Sequence, residues 1–290
     1  MDEKMKTLEL HGSRKNVNYT QLLKHFGMYN ENAFKHLEEN FEGLFNENKG
    51  VNFTVNKKLG NIPSIALPNE MGRMVFLAYV EQNKDLLKLK KVKVLYDYLK
   101  ENWSCINFFA CGDDCYNNRL NYQYPHYLVS TLRNLYILLA EEKRFIDESV
   151  EFFQNMRYVR LSVSGDVNAR IWNVYKQIIK ESPDTIFYMY TKNYKFFNEI
   201  KRFPKNFILN VSLWENNQKQ ILSLYPNLKR HNFYHAYSKN ESIENLEIIE
   251  GKNYTEGICS KAQNNGDEVK CLKCKKCMTK NTYIITKIRK

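Results

Sequence analysis

No run of this chain approaches 18 uninterrupted apolar residues, so no transmembrane helix is expected. The first residues, Met1-Asp2-Glu3-Lys4, carry acids and lead into no apolar h-region, so no secretory signal peptide is expected either. Together these predict a cytoplasmic protein with no membrane partner, in a reducing compartment. Walker-type phosphate loops, G-x-S-x-G elbows and H-E-x-x-H helices are absent as well, which removes three common enzyme signatures. Acids are missing from Lys270 to Lys290, where Lys270, Lys273, Lys275, Lys276, Lys280, Lys287, Arg289 and Lys290 are all basic. Cysteine is missing from everywhere except two short stretches.

Those stretches hold all seven cysteines. Cys105, Cys111 and Cys115 are spaced C-x5-C-x3-C, and Cys259, Cys271, Cys274 and Cys277 are spaced C-x11-C-x2-C-x2-C. Structural cysteines sit singly on apolar faces. These sit beside Gly, Asp, Asn and Lys, which are loop residues. Clustered thiols in a chain without a secretory signal point to metal or iron–sulfur ligation rather than to disulfides. Three closely spaced thiolates hold three irons of a [4Fe–4S] cube and leave the fourth open. The second set reads in two ways: four ligands of an auxiliary [4Fe–4S] cluster, or a tetrahedral Zn2+ site. The tight C-x2-C-x2-C run is more natural on a cube face, which favours iron–sulfur.

At 290 residues and 43% hydrophobic content the chain can bury a sizeable core. The net charge of +12 favours a polyanionic partner such as nucleic acid, or simply reflects a lysine-rich surface.

Apolar residues recur at helical spacing near 19–26 and 33–41, so residues 1–50 read as a helical N-terminal extension in which His25 and His36 are surface or packing residues. Residues 51–68 change to a turn and a short strand closed by Pro68, followed by a helical insertion over about 70–102. After the first cysteine stretch come helices over 127–139 and 145–155. The period then shifts to 2, and four strands are predicted at 158–164, 186–190, 207–212 and 231–237. Helices separate them near 169–181, 194–202 and 216–224. Strand starts recurring every 21–28 residues fit βα units in a parallel sheet, and a partial βα barrel over 51–250 is the expected closure. Residues 251–290 read as a cysteine-rich basic segment. The strands end in polar residues, Ser164-Gly165-Asp166 and Thr191-Lys192, and parallel barrels carry their chemistry at such ends. His231 and His235 share a strand face, where packing or barrel-mouth polarity outweighs ligation.

The order of strand, three-cysteine loop, helix and strand ending in Ser-Gly-Asp resembles the radical S-adenosylmethionine (SAM) enzymes. Their usual spacing is C-x3-C-x2-C with an aromatic before the last cysteine; here it is C-x5-C-x3-C with Tyr116 after it. The resemblance implies that Cys105, Cys111 and Cys115 hold a cluster that binds SAM. It also implies that Ser164-Gly165-Asp166 approaches the SAM ammonium. A closer resemblance covers about 57–277. It rests on Lys58-Leu59-Gly60, Leu67-Pro68, the C-x5-C-x3-C-Y loop, Tyr124-Pro125, Arg133-Asn134, the run Arg160 to Asp166, the run Phe187 to Lys192, and the closing C-x2-C-x2-C. These pieces look like the gene product 88 family of phages, plasmids and conjugative elements. The expectation is an iron–sulfur, radical-SAM-like protein of a mobile element, with Ser164, Gly165, Asp166, Thr191 and Lys192 as cofactor contacts. A zinc-stabilised nucleic-acid-binding protein is the alternative.

Overall fold

Asparagine starts several of the helices. Asn30, Asn69, Asn168 and Asn193 each accept, through a side-chain oxygen, the N–H three residues further on, at 2.9–3.4 Å. Each such cap is worth about 1 kcal/mol over alanine. The computed structural model describes residues 17–25, 27–56, 61–102, 125–214, 218–237, 249–256 and 274–287. The chain divides into two compact units, Met1–Asn52 with Ala66–Glu148, and Phe53–Ile65 with Ser149–Lys290. The early helices group with those that follow residue 66.

The first unit is helical. It holds α1 (Tyr19–His25), α2 (Glu31–Glu39), α3 (Phe41–Leu44), α4 (Glu70–Gln82), α5 (Lys90–Glu101) and α6 (Pro125–Ala140). Its core includes Leu23, Leu37, Leu44, Phe76, Leu95, Leu99 and Leu132, each fully buried. Within it, Arg73 donates to Glu70 at 2.6 Å and to the Leu99 carbonyl at 2.7 Å, and both charged side chains are 4% exposed or less. Asn134 ties distant backbone together. Its side chain accepts the Asn52 N–H at 2.7 Å and donates to the Asn52 and Ala66 carbonyls at 2.9 and 3.0 Å. It thereby closes the two backbone segments that flank residues 53–65. Asn134→Ala is expected to leave those groups unpaired at a cost of about 2–4 kcal/mol, read as a lowered thermal midpoint. The boundary between units falls inside α7 (Glu142–Phe153).

The second unit carries the sheet. Its strands are β1 (Phe53–Asn56), β2 (Ile62–Ile65), β3 (Tyr158–Arg160), β4 (Ile186–Thr191), β5 (Phe207–Trp214), β6 (Asn232–Tyr237), β7 (Asn253–Glu256) and β8 (Thr282–Lys287). The order is β1-β2-β3-β4-β5-β6-β8-β7; β1 is antiparallel to β2 and every other pairing is parallel. The fold class is therefore mixed α/β with a mostly parallel sheet. Helices α8 (Ala169–Glu181), α9 (Tyr194–Glu199) and α10 (Gln218–Leu224) fall between consecutive strands.

Four strands differ from the sequence expectation, β1 among them, since only one strand is expected over 51–68. Residues 253–256 and 282–287 form strands within what reads as a cysteine-rich tail, and β8 lies between β6 and β7. The strand expected over 158–164 pairs only at 158–160. Ser162 (φ 47°) and Gly165 (φ 74°) take left-handed backbone there and break the ladder.

Strand alternation gives the sheet two faces. On one, Trp172 of α8 meets Phe197 and Phe207 at 5.6 and 4.9 Å. On the other, Ile62, Tyr158, Tyr188 and Ile208 pack with Met278, and Ile186, Tyr190 and Cys277 join them. The segment just before β8 is thus seated on the sheet face opposite α8.

Candidate functional site

Parallel strands deliver their C-terminal ends to one edge, and two neighbouring ends meet there through Asp166. Its Oδ1 accepts from the Thr191 hydroxyl at 2.7 Å and from the Val167 N–H at 2.9 Å, and its Oδ2 accepts from the Lys192 N–H at 2.8 Å. The contacts return in the other direction. Thr191 Oγ1 accepts the Asn193 N–H at 2.9 Å, and Asn193 Nδ2 donates to the Val167 carbonyl at 2.9 Å. The loop after β3 and the loop after β4 are clasped together. Ser164 in the same loop is 1% exposed, and its hydroxyl has no hydrogen-bond partner among the described residues.

The five strand-end residues singled out in the sequence, Ser164, Gly165, Asp166, Thr191 and Lys192, therefore belong to one small region. The Asp166 carboxylate is turned inward, and three of its roughly four lone-pair positions are used, which leaves one on Oδ2 for another donor. Burial pushes the Asp166 carboxyl above the usual carboxylate range, against the opposing pull of the Thr191 hydroxyl, two N–H groups and the Lys192 charge. A raised carboxyl pKa means that the folded state holds the proton more tightly. Its contribution to stability is fully present below the ordinary carboxylate pKa and is lost as pH rises through the raised one. Asp166→Asn should flatten that slope. It should also cost about 1–3 kcal/mol, because an amide replaces one acceptor with a donor facing Thr191 or the Lys192 N–H. Chemical denaturation across acidic pH checks both.

The second feature is the short turn that carries Cys274 and Cys277, both half-buried. Lys275 between them is left-handed (φ 54°), and a 3-10 turn follows over Lys276–Met278. The Lys275 carbonyl accepts the Met278 N–H at 2.9 Å and the Thr279 hydroxyl at 3.0 Å, which fixes the turn. Two buried asparagines of the sheet hold it from below. Asn210 Nδ2 donates to the Cys277 carbonyl at 3.1 Å, and Asn232 Nδ2 donates to the Thr279 carbonyl at 2.7 Å. The Cys277 thiol is hydrogen-bonded to the Tyr190 hydroxyl, which burial foremost and Cys277 next hold well above its usual pKa. The Arg160 guanidinium lies 4.8 Å from the centre of the Tyr190 ring.

Two half-buried thiols on one tight turn, with backbone already bonded around them, fit a site for a thiolate-loving metal or cluster. Cys105, Cys111, Cys115, Cys259 and Cys271 lie outside the described residues. Among the described residues no three His, Cys, Asp or Glu side chains converge as a metal site would require. His231 and His235 do not pair: His235 is fully buried with Nδ1 3.2 Å from the Tyr283 hydroxyl, while His231 lies against Phe203 at 4.7 Å.

Arg160, Tyr190, Asn210 and Asn232 escape sequence reasoning as site residues. Alternation shows only that Tyr188 and Tyr190 share a face, and likewise Asn210 and Ser212. Which face receives the cysteine turn depends on long-range pairing. A buried-strand asparagine is the one available signal, since an amide inside a sheet demands partners.

Among the described residues no helix is long and apolar enough to cross a membrane. The family model for gene product 88 matches residues 77–280. No curated protein and no solved structure matches the chain.

Proposed function

The chain belongs to the gene product 88 family, and we propose that it is an iron–sulfur protein of a phage or plasmid with radical-SAM-like activity. Cys105, Cys111 and Cys115 would hold a [4Fe–4S] cluster with one open iron. Cys259, Cys271, Cys274 and Cys277 would hold a second, auxiliary cluster. SAM bound at an open iron supplies one-electron chemistry. The chain's own part is to bind and orient. The free lone pair of Asp166 Oδ2 suits an ammonium, the buried Ser164 hydroxyl suits a polar ligand atom, and Gly165 lets a ligand approach the backbone.

The observation that carries this reading is the convergence of Ser164-Gly165-Asp166 with Thr191-Lys192 at the C-terminal ends of adjacent parallel strands. The strand order adds support. From β3 to β6 the strands lie side by side in chain order, with no reversal. Right-handed crossovers in such an order place the connecting helices on one side, the arrangement of a barrel wall rather than of a doubly wound sheet. A partial barrel of this kind carries its ligands at the strand ends.

Metal analysis and the visible spectrum of anaerobically purified protein test the reading. About eight irons per chain with a broad band near ~400 nm are expected for two clusters, followed by SAM cleavage under reducing conditions. Protein that binds one or two zincs, shows no colour and leaves SAM intact would overturn it in favour of a zinc-stapled binding protein. The +12 charge supports a polyanionic partner under either outcome.

A further inference from the structure

Four loops of the second unit precede β5, β6, β7 and β8. These strands are parallel neighbours, so the four loops emerge along one edge, the edge opposite the Asp166 clasp. The described residues of these loops, 200–206, 226–231, 249–252 and 274–281, hold nine lysines and arginines against a single acid, Glu250. Lys201, Arg202, Lys205, Lys229 and Lys280 are exposed.

The loops are tied into one surface. Arg230 donates to the Ile200 carbonyl and, at 3.1 Å, to the Lys201 carbonyl, and its guanidinium lies 5.6 Å from the Phe203 ring centre. Lys280 Nζ donates to the Lys205 carbonyl at 3.1 Å. The Asn253 N–H donates to the Asn281 carbonyl at 2.7 Å. Burial, then Arg230 and Lys252, push His231 down to about 3, and burial pushes Lys252 down to about 8. Among the described residues of these loops, one carboxylate, Glu250, offsets the positive charge.

We propose that this basic edge binds the phosphate backbone of a nucleic acid. Neighbouring strands are about 4.8 Å apart, so the four loop roots span about 14 Å, enough to follow several phosphates. A membrane surface fits less well, because none of the exposed large apolar residues of the described chain, Val55, Leu89 and Leu224, is a residue of these loops. The inference rests on the polyanion reading of the net charge and not on either metal cluster.

The test is fluorescence anisotropy of labelled mixed-sequence DNA and RNA single strands of about 20 nucleotides, titrated with full-length protein from about 50 to about 200 mM salt. Affinity should fall steeply with salt. The variant Lys201→Ala/Arg202→Ala/Lys205→Ala should bind at least about tenfold more weakly at low salt, with a log–log salt slope shallower by about 2. The control Lys84→Ala/Lys88→Ala/Lys90→Ala removes the same charge from an exposed stretch of the first unit and should retain the parental affinity and slope. Equal losses in both variants would overturn the assignment of this edge while keeping nucleic-acid binding. Absence of oligonucleotide binding by the parent would overturn the nucleic-acid assignment, as would binding only to anionic vesicles or polyglutamate, which would point to a polyanion of another kind.

Discussion

Anaerobically purified Cys105→Ala/Cys111→Ala/Cys115→Ala protein is expected to carry about four irons where the parent carries about eight, and to cleave no SAM. The reason is the division of labour between the cysteine sets. Three thiolates are the minimum that leaves a cube with one open iron, and their loss removes that cube as a whole. The other set stands on different supports. Cys277 is seated by the Asn210 side chain and the Tyr190 hydroxyl, and the next turn by Asn232. The reciprocal variant, Cys274→Ala/Cys277→Ala, should lose the other half of the iron. Tyr190→Phe should keep the iron but shift the midpoint potential of the second cluster, because hydrogen bonds to cysteine sulfur tune it. Iron that falls equally in both cysteine variants would sink the two-cluster reading. A protein with about one zinc, lost only with Cys274 and Cys277, would replace it with a structural site.

The largest stability effect is expected at the other end of the chain's chemistry. Arg73→Ala should destabilise the first unit by about 3–5 kcal/mol, because it strands the Glu70 carboxylate in a core where that side chain is 1% exposed. The Leu99 carbonyl loses its donor in the same change. Replacing both partners, Glu70→Leu with Arg73→Met, should recover most of the loss, since two well-packed apolar groups avoid the desolvation cost of an ion pair. A thermal or urea midpoint that Arg73→Ala leaves unmoved would show that Glu70 is solvated or neutral in the folded chain.

The parts of this fold that could be read from sequence are those governed by local periodicity. Ile186-Phe187-Tyr188-Met189-Tyr190 and Phe207-Ile208-Leu209 are β-rich runs between polar breaks, and they form β4 and β5 within two residues of expectation. The helices after β3, β4 and β5 follow for the same reason. Thr282-Tyr283-Ile284-Ile285-Thr286 carries an equally clear strand signature, but the cysteines and lysines before it make the region read as a tail. Its place between β6 and β7 is a pairing fact with no local signal. The strand-end residues were legible because polar side chains after an apolar strand mark an edge. Their mutual bonding through Asp166 was not, because it joins loops 25 residues apart in the chain. Asn210 and Asn232 hold the cysteine turn for a reason that only register reveals: they sit opposite one another on neighbouring strands.

The position of β8 also orders events during synthesis. Among the described strands, β7 pairs only with β8, while β8 pairs with both β6 and β7. A nascent chain that has delivered β7 has nowhere to place it until about thirty further residues have emerged. The growing sheet ends at β6 with its edge open, and open edges invite pairing with other chains. The cysteine turn at 274–277 emerges immediately before the strand that closes this gap. Seating that turn on Asn210 and Asn232 and zipping β8 into place are therefore consecutive acts, and the last one joins β7 to the sheet.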